Sequence, residues 1–102
     1  MIVVRTVLKA RFGTGGELAA SFSKTSSSMM AEMGTKRRWR VLTDLSGPFD
    51  TVIQEIEVES LAEWETMRAR LFELKAFRDS MATMQEFVVS GHNELWTVEA
   101  EG

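Results

Sequence analysis

The sequence predicts an α+β domain in which strands and helices follow one another in the order βαββαβ. Four segments show the alternation of a β-strand, at Ile2 to Ala10, Arg37 to Asp44, Phe49 to Val58 and His92 to Val98. Helical periodicity fills the interval after the first strand and the interval before the last. This order is that of the ferredoxin-like fold, in which a four-stranded antiparallel sheet carries its helices on one face.

Length and composition predict one domain over residues 1–102 with a single modest core. Hydrophobic residues make up 44% of the chain and charged residues 26%, which is typical of a soluble globular protein. No apolar run is long enough to cross a bilayer and no secretory signal is visible, so we expect a cytoplasmic protein without membrane contact. The net charge of -3 argues against nucleic acid as a partner, because phosphate binding needs a concentrated basic surface.

Residues that carry catalytic or metal chemistry are scarce. The chain has no cysteine, which removes disulfides, thiolate nucleophiles and most zinc sites, and its one histidine is His92. Glu55, Glu57 and Glu59 share one strand face, but basic residues across the predicted hairpin favour ion pairing over metal binding. We therefore expect neither a metal nor a cofactor.

The first strand and the first helix have clear apolar faces. Alternation places Ile2, Val4 and Leu8 on one side of the strand, which we take as the core side. The helix is expected to begin near Glu17 and to stop at Gly34. Its apolar stripe consists of Leu18, Phe22, Met29 and Met33.

The two middle strands predict a hairpin with a defined register. A four-residue loop, Leu45 to Pro48, keeps apolar side chains on one face and complementary charges on the other. This register pairs Val41 with Val52, Trp39 with Gln54, Arg38 with Glu55 and Lys36 with Glu57.

The second helical segment begins with a capping signal at Ser60 and Glu63. Apolar residues then recur at steps of three and four as far as Val88, and Ser90-Gly91 is expected to end the helix. Whether the segment is one helix or two consecutive helices stays open, with Lys75-Ala76 as the point of division.

The sheet face opposite the helices predicts a homodimer. That face is expected to carry Val3, Val7, Leu42, Phe49, Ile53 and either Leu95 or Trp96. Such an apolar patch is larger than soluble monomers usually expose. A second copy, stacked sheet to sheet, covers it and gives a dimeric α+β barrel.

Two tryptophans and a glutamine are the candidate ligand-binding residues. Trp39, Trp64 and methionines would line a cleft between helices and sheet that suits a small apolar or aromatic molecule, with Gln54 as a polar anchor. The competing interpretation places Trp64 in the core, since it belongs to a helical apolar stripe. His92 is a weak candidate for a general base and competes with a role in a turn or at the surface.

Short motifs along the chain resemble the NIPSNAP group of the dimeric α+β barrel superfamily. They are Arg5-Thr6 before a glycine-rich helix entry, Leu61-Ala62-Glu63-Trp64-Glu65, and Asn93-Glu94-Leu95-Trp96. The resemblance implies a ferredoxin-like protomer that dimerises through its sheet. The same superfamily includes cofactor-independent monooxygenases that act on aromatic substrates, and haem-degrading enzymes, so the resemblance also implies these activities as candidates. The asparagine and histidine positions of the haem-degrading enzymes are not matched here, which disfavours that activity.

Two functional hypotheses follow. The first is a homodimeric protein that binds a small apolar or aromatic molecule without a known reaction. The alternative is a cofactor-independent monooxygenase, which requires an enclosed pocket with His92, Gln54 or Arg5 within reach of the substrate.

Overall fold

The computed structural model describes residues 1–102 and confirms the ferredoxin-like α+β architecture. Its elements are β1 (Ile2–Ala10), α1 (Gly15–Met33), β2 (Trp39–Thr43), β3 (Thr51–Val58), α2 (Leu61–Leu71), α3 (Lys75–Phe87) and β4 (Val88–Thr97). The four strands form one sheet in the order β2-β3-β1-β4, and each neighbouring pair is antiparallel. None of the three helices is both long and apolar enough to span a bilayer.

The helices cover one face of the sheet, which we call the inner face, and the core lies between the two layers. On β1 this face carries Val4 and Leu8, as the alternation predicts, and both are buried. One core cluster contains Leu8, Ala10, Leu18, Phe22 and Val52, and the other contains Val4, Met30, Ile56 and Val58. The burial on β3 alternates strictly, so every second residue from Val52 to Val58 faces the helices.

The second helical segment is divided into α2 and α3, and the division falls just before Lys75. The predicted cap is present, since Oγ of Ser60 accepts a hydrogen bond from the amide of Glu63 at 3.1 Å. The Glu63 carboxylate in turn accepts a hydrogen bond from the amide of Glu59 at 2.7 Å. The first bond satisfies an amide that the start of α2 leaves without a partner inside the helix, and the second ties the residue before the cap to the first turn.

The predicted hairpin register is wrong by two residues. Trp39 lies opposite Ile56 instead of Gln54, and Val41 takes the place opposite Gln54. A shift of two residues keeps the paired strand residues on their predicted faces, because strands alternate with a period of two. Phe49, predicted on the face without helices, lies instead in the hairpin loop, because β3 begins only at Thr51. The charge pairs change accordingly: Arg38 pairs with Glu57 at 3.2 Å and Arg40 with Glu55 at 2.7 Å.

The shift arises because the hairpin loop is longer than four residues. Asp44 and Thr51 close it, with the Asp44 amide donating to the Thr51 carbonyl oxygen at 3.3 Å. Asp50 is withdrawn from the strand into the left-handed region, with a φ of 59°. Its carboxylate accepts hydrogen bonds from the amides of Gly13 and Gly15, each at 2.9 Å. A Cβ at Gly15 would lie 2.8 Å from the Asp50 carboxylate, so this helix entry requires glycine.

The last strand begins earlier than predicted, at Val88, and Ser90-Gly91 lies inside it. Gly91 is opposite Leu8, and a Cβ there would come within 2.8 Å of the Leu8 side chain. The glycine therefore permits a close approach within the sheet rather than ending a helix. Trp96 pairs with Val3 and lies on the face without helices, whereas Leu95 pairs with Val4.

Candidate functional site

A cavity of about 280 Å³ lies between the helices and the inner face of the sheet. Of its 18 lining residues, 11 are hydrophobic. All three helices and the three strands β1, β3 and β4 contribute to its wall. A volume near the lower end of the range for small-molecule sites indicates a ligand smaller than a typical cofactor.

Methionine and aromatic side chains form most of the apolar wall. The methionines are Met29, Met30, Met33, Met67 and Met84, and the aromatic residues are Phe22, Trp64, Phe72 and Phe77. Phe72 and Phe77, from either side of the α2–α3 junction, meet edge to face with ring centroids 5.4 Å apart. Because methionine side chains are flexible and polarizable, such a wall can adapt to flat ligands of different outline.

The deepest polar group of the cavity is the side-chain amide of Gln54, which projects from β3. Only 9% of Gln54 is exposed, and its Nε2 donates a hydrogen bond to Oγ of Ser26 at 2.6 Å. Ser26 lies in the middle of α1 and is fully buried. The Oε1 of Gln54 accepts no hydrogen bond from the protein, so one end of this amide is free for a ligand.

Two further polar groups line the cavity on the sheet side. Oγ1 of Thr6 donates to Oδ1 of Asn93 at 2.9 Å across the β1–β4 pair. This bond fixes the orientation of the asparagine amide and leaves its Nδ2 as a donor without a protein partner. The inner face therefore offers an acceptor at Gln54 and a donor at Asn93.

The structure places only two of the three predicted ligand-binding residues at the cavity. Trp64 and Gln54 line it, and Trp64 also packs against the core cluster around Val4 and Ile56. Trp39 is not among the lining residues, and it packs against the same cluster. No residue of β2 lines the cavity, not even Val41 opposite Gln54, because the cavity lies over β1, β3 and β4 and β2 is the edge strand beyond β3.

Arg5 and His92 lie on the opposite side of the sheet, which we call the open face. Arg5 is within 3.2 Å of Glu55 and 3.5 Å of Glu94, and Nε2 of His92 is 2.9 Å from the Glu94 carboxylate. The hydrogen bond with His92, with a second from the Trp96 indole, lowers the pKa of Glu94. Neither Arg5 nor His92 reaches the cavity, so the only ionisable group in its wall is Arg68.

The part of the cavity wall that α3 supplies depends on how α3 is held against α1. The Glu32 carboxylate, near the end of α1, accepts hydrogen bonds from the amides of Lys75 and Ala76 at 2.8 and 3.1 Å. These are the first residues of α3, whose N-terminal amides have no partners within the helix. The two hydrogen bonds lower the pKa of Glu32, and the bond from the Lys75 amide has the larger effect. Glu32 thereby positions the helix that supplies Phe77, Ser80 and Met84 to the cavity.

Replacing Glu32 with glutamine is expected to lower the urea midpoint of unfolding modestly near neutral pH. Because the folded-state pKa of Glu32 is lowered, its stabilising effect is present above the ordinary carboxyl pKa. It is lost as the pH falls through the lowered value. Wild type and Glu32→Gln should therefore converge in acid. The control is Glu65→Gln, which removes an exposed carboxylate of α2 that forms no hydrogen bond or ion pair. A constant difference between wild type and Glu32→Gln at every pH would contradict this role.

Arg68 and Asn93 of the cavity wall, and the buried Ser26 that accepts a hydrogen bond from Gln54, were not anticipated, although the sequence carries faint signals for them. Ser26 occupies the position four residues after Phe22, where the apolar stripe of α1 continues into Met29 and Met30. A polar residue within an apolar helix face indicates a buried partner. Arg68 lies one turn after Trp64 on α2, which places it on the same helix face. Asn93 lies opposite Thr6 on the inner face, and only the pairing of β1 with β4 brings the two residues together.

The fold and the cavity together define the class of protein: a ferredoxin-like α+β protein with a mainly apolar cavity between helices and sheet. Neither a family model nor a curated protein sequence matches the chain. Solved structures do match it, and NIPSNAP domain proteins are among them, as the sequence motifs indicated.

An uncharacterised NIPSNAP domain protein from Burkholderia xenovorans is 14% identical, with 98% of this chain and 96% of that chain covered and a TM-score of 0.81. A NIPSNAP family protein from Agrobacterium tumefaciens is 18% identical, with 94% and 90% covered and a TM-score of 0.78. A candidate antibiotic biosynthesis monooxygenase from Chloroflexus aurantiacus is 16% identical, with 99% and 96% covered and a TM-score of 0.69. At these identities the likeness establishes the fold.

Proposed function

We propose that the protein binds a small apolar or aromatic molecule in the cavity between its helices and sheet, and that it does so as a homodimer. The observation that carries the proposal is the cavity itself, about 280 Å³ in volume with 11 hydrophobic residues among 18. A mainly apolar cavity of this size favours apolar guests, because their binding removes apolar surface from water. Gln54 and Asn93 add the few convergent polar groups that orient a ligand in such sites. The cytoplasmic location expected from the sequence stays a prediction.

The homodimer is supported by the composition of the open face. Apolar side chains from three strands meet there, where Val7 is paired with Ile53 and Ile53 with Leu42. Trp96 adds an indole that is 55% exposed, and only 14 of the 102 residues of the isolated chain are buried. Covering this face would bury apolar surface that monomers seldom leave in water.

Charges on the open face are already matched within one protomer. Three arginines, Arg5, Arg38 and Arg40, pair with three glutamates, Glu55, Glu57 and Glu94. This cluster therefore carries no net charge. The pairing lowers the free-energy cost of removing these side chains from water when a second copy covers the face. These pairs also agree with the expectation that the glutamates of β3 form ion pairs.

Calorimetric titration with 2-naphthol tests the ligand-binding proposal. This bicyclic phenol is uncharged near neutral pH, and a cavity about twice the volume of one that holds benzene should accept its ten carbons. We expect one saturable site per protomer and a negative heat-capacity change, because apolar surface is buried on binding. The absence of saturable binding up to the solubility limit of 2-naphthol would overturn the proposal.

A cofactor-independent monooxygenase is the second candidate. The cavity and the structural likeness to a candidate antibiotic biosynthesis monooxygenase favour it. Its difficulty is proton transfer, since His92 and Arg5 lie on the other face and the cavity wall holds no carboxylate or imidazole. Oxygen uptake with formation of naphthoquinone from 1-naphthol, without added cofactor, would support this candidate. Binding of 1-naphthol without oxygen uptake would favour the first.

A further inference from the structure

Resting on the proposed function, we propose that the natural ligand is a carboxylate with an apolar body, and that Arg68 binds its charged group at the rim of the cavity. Arg68 extends from α2, lines the cavity and is exposed. No carboxylate of the protein lies within ion-pair distance of its guanidinium, which also donates no hydrogen bond to another residue. It is the only ionisable residue among the 18 that line the cavity.

What distinguishes Arg68 is its place in the cavity wall, since Lys24, Lys36 and Arg78 also lack ion-pair partners but do not line the cavity. Arg37 pairs with Glu59 and Glu63, and Lys75 pairs with Asp79. Arg70, two residues along the same helix, donates to the Met33 carbonyl oxygen at 3.4 Å. In a chain with net charge -3, a cation without a partner beside an apolar cavity provides a place for an anion. A planar guanidinium matches a carboxylate because it can donate two parallel hydrogen bonds.

The cavity places limits on the rest of the ligand. Its apolar wall requires a hydrocarbon or aromatic body. Scaling from the 150 Å³ cavity that binds benzene gives about ten to twelve carbon atoms in a volume of about 280 Å³. At the buried end, the free Oε1 of Gln54 can accept one hydrogen bond from a ligand hydroxyl or amine. A carboxylate at the rim and a hydrogen-bond donor at the sheet therefore define the ligand class.

A matched pair of probes, 2-naphthoate and 2-naphthamide, tests this assignment, because the two share size and ring system and differ in charge. We expect 2-naphthoate to bind roughly fivefold more tightly or better, which is the scale of one charge-assisted contact at a partly exposed site. Arg68→Gln should remove that preference, and Arg68→Lys should retain part of it. The control is Arg78→Gln, which removes an exposed charge from α3 outside the cavity.

The outcomes separate this inference from the broader proposal. Equal binding of the two probes to the wild type, or an unchanged preference in Arg68→Gln, would overturn the role of Arg68 and leave the apolar site intact. Failure of both probes to bind would overturn both proposals. The circular dichroism spectrum of each variant, compared with that of the wild type, shows that the fold is retained.

Discussion

Replacing Val7 with glutamate is expected to convert the protein from a dimer to a monomer. Val7 lies on β1, an interior strand, and its neighbours on the open face are Ile53 and His92. Because a two-fold interface presents each residue twice, the change would bury two additional carboxylates, and their basic neighbour His92 is already paired with Glu94. Each costs several kcal/mol to remove from water, so we expect the dissociation constant to rise at least about 100-fold.

Light scattering coupled to size exclusion measures this change. The wild type should have twice the protomer mass of 11.5 kDa, and Val7→Glu should have that mass alone. The control is Ser27→Glu, which adds the same charge to an exposed position of α1 and should stay dimeric. A wild type of 11.5 kDa at micromolar concentration, or a dimeric Val7→Glu, would contradict pairing through the open face.

Replacing Thr25 with tryptophan is expected to weaken 2-naphthol binding at least about tenfold. Thr25 lines the cavity from α1, is half-buried and forms no side-chain hydrogen bond, so its loss removes no polar contact. An indole there would occupy much of a 280 Å³ cavity and exclude the probe. Filling an existing cavity restores contacts that its wall lacks, so unfolding stability should change by less than about 1.5 kcal/mol.

The control for this variant is Ser28→Trp, which puts the same side chain on the exposed side of α1. Calorimetric titration should give wild-type affinity for the control and greatly weakened binding for Thr25→Trp. Full affinity in Thr25→Trp would mean that 2-naphthol binds outside the cavity.

Much of the fold follows from local patterns. Alternation on β1 identifies the buried face through Val4 and Leu8, and Ser60 with Glu63 marks the start of α2. The hairpin register does not follow from local pattern, because a shift of two residues preserves every face. It is decided by Asp50, whose carboxylate binds the amides of Gly13 and Gly15, far away in sequence. The early start of β4 likewise depends on the fit of Gly91 against Leu8.

The candidate site could be predicted only in part. Helical spacing placed Trp64 on the buried face of α2, and strand alternation turned Gln54 toward the helices. Trp39 was assigned to the site as a tryptophan on the inner face opposite Gln54, but it lies outside the cavity wall, as does every other residue of β2. The Ser26 partner of Gln54 and the isolation of Arg68 are long-range properties, since each depends on which distant side chains come close after folding.

The seven methionines provide probes that show whether a ligand occupies the cavity between helices and sheet. Five of them, Met29, Met30, Met33, Met67 and Met84, line the cavity, whereas Met1 and Met81 do not. Spectra of protein labelled with carbon-13 at the methionine methyl groups should be recorded during titration with 2-naphthol. Binding in the cavity should produce saturable shifts in the five cavity methyl signals and leave those of Met1 and Met81 unchanged. Shifts confined to Met1 or Met81, or no shifts at all, would contradict it.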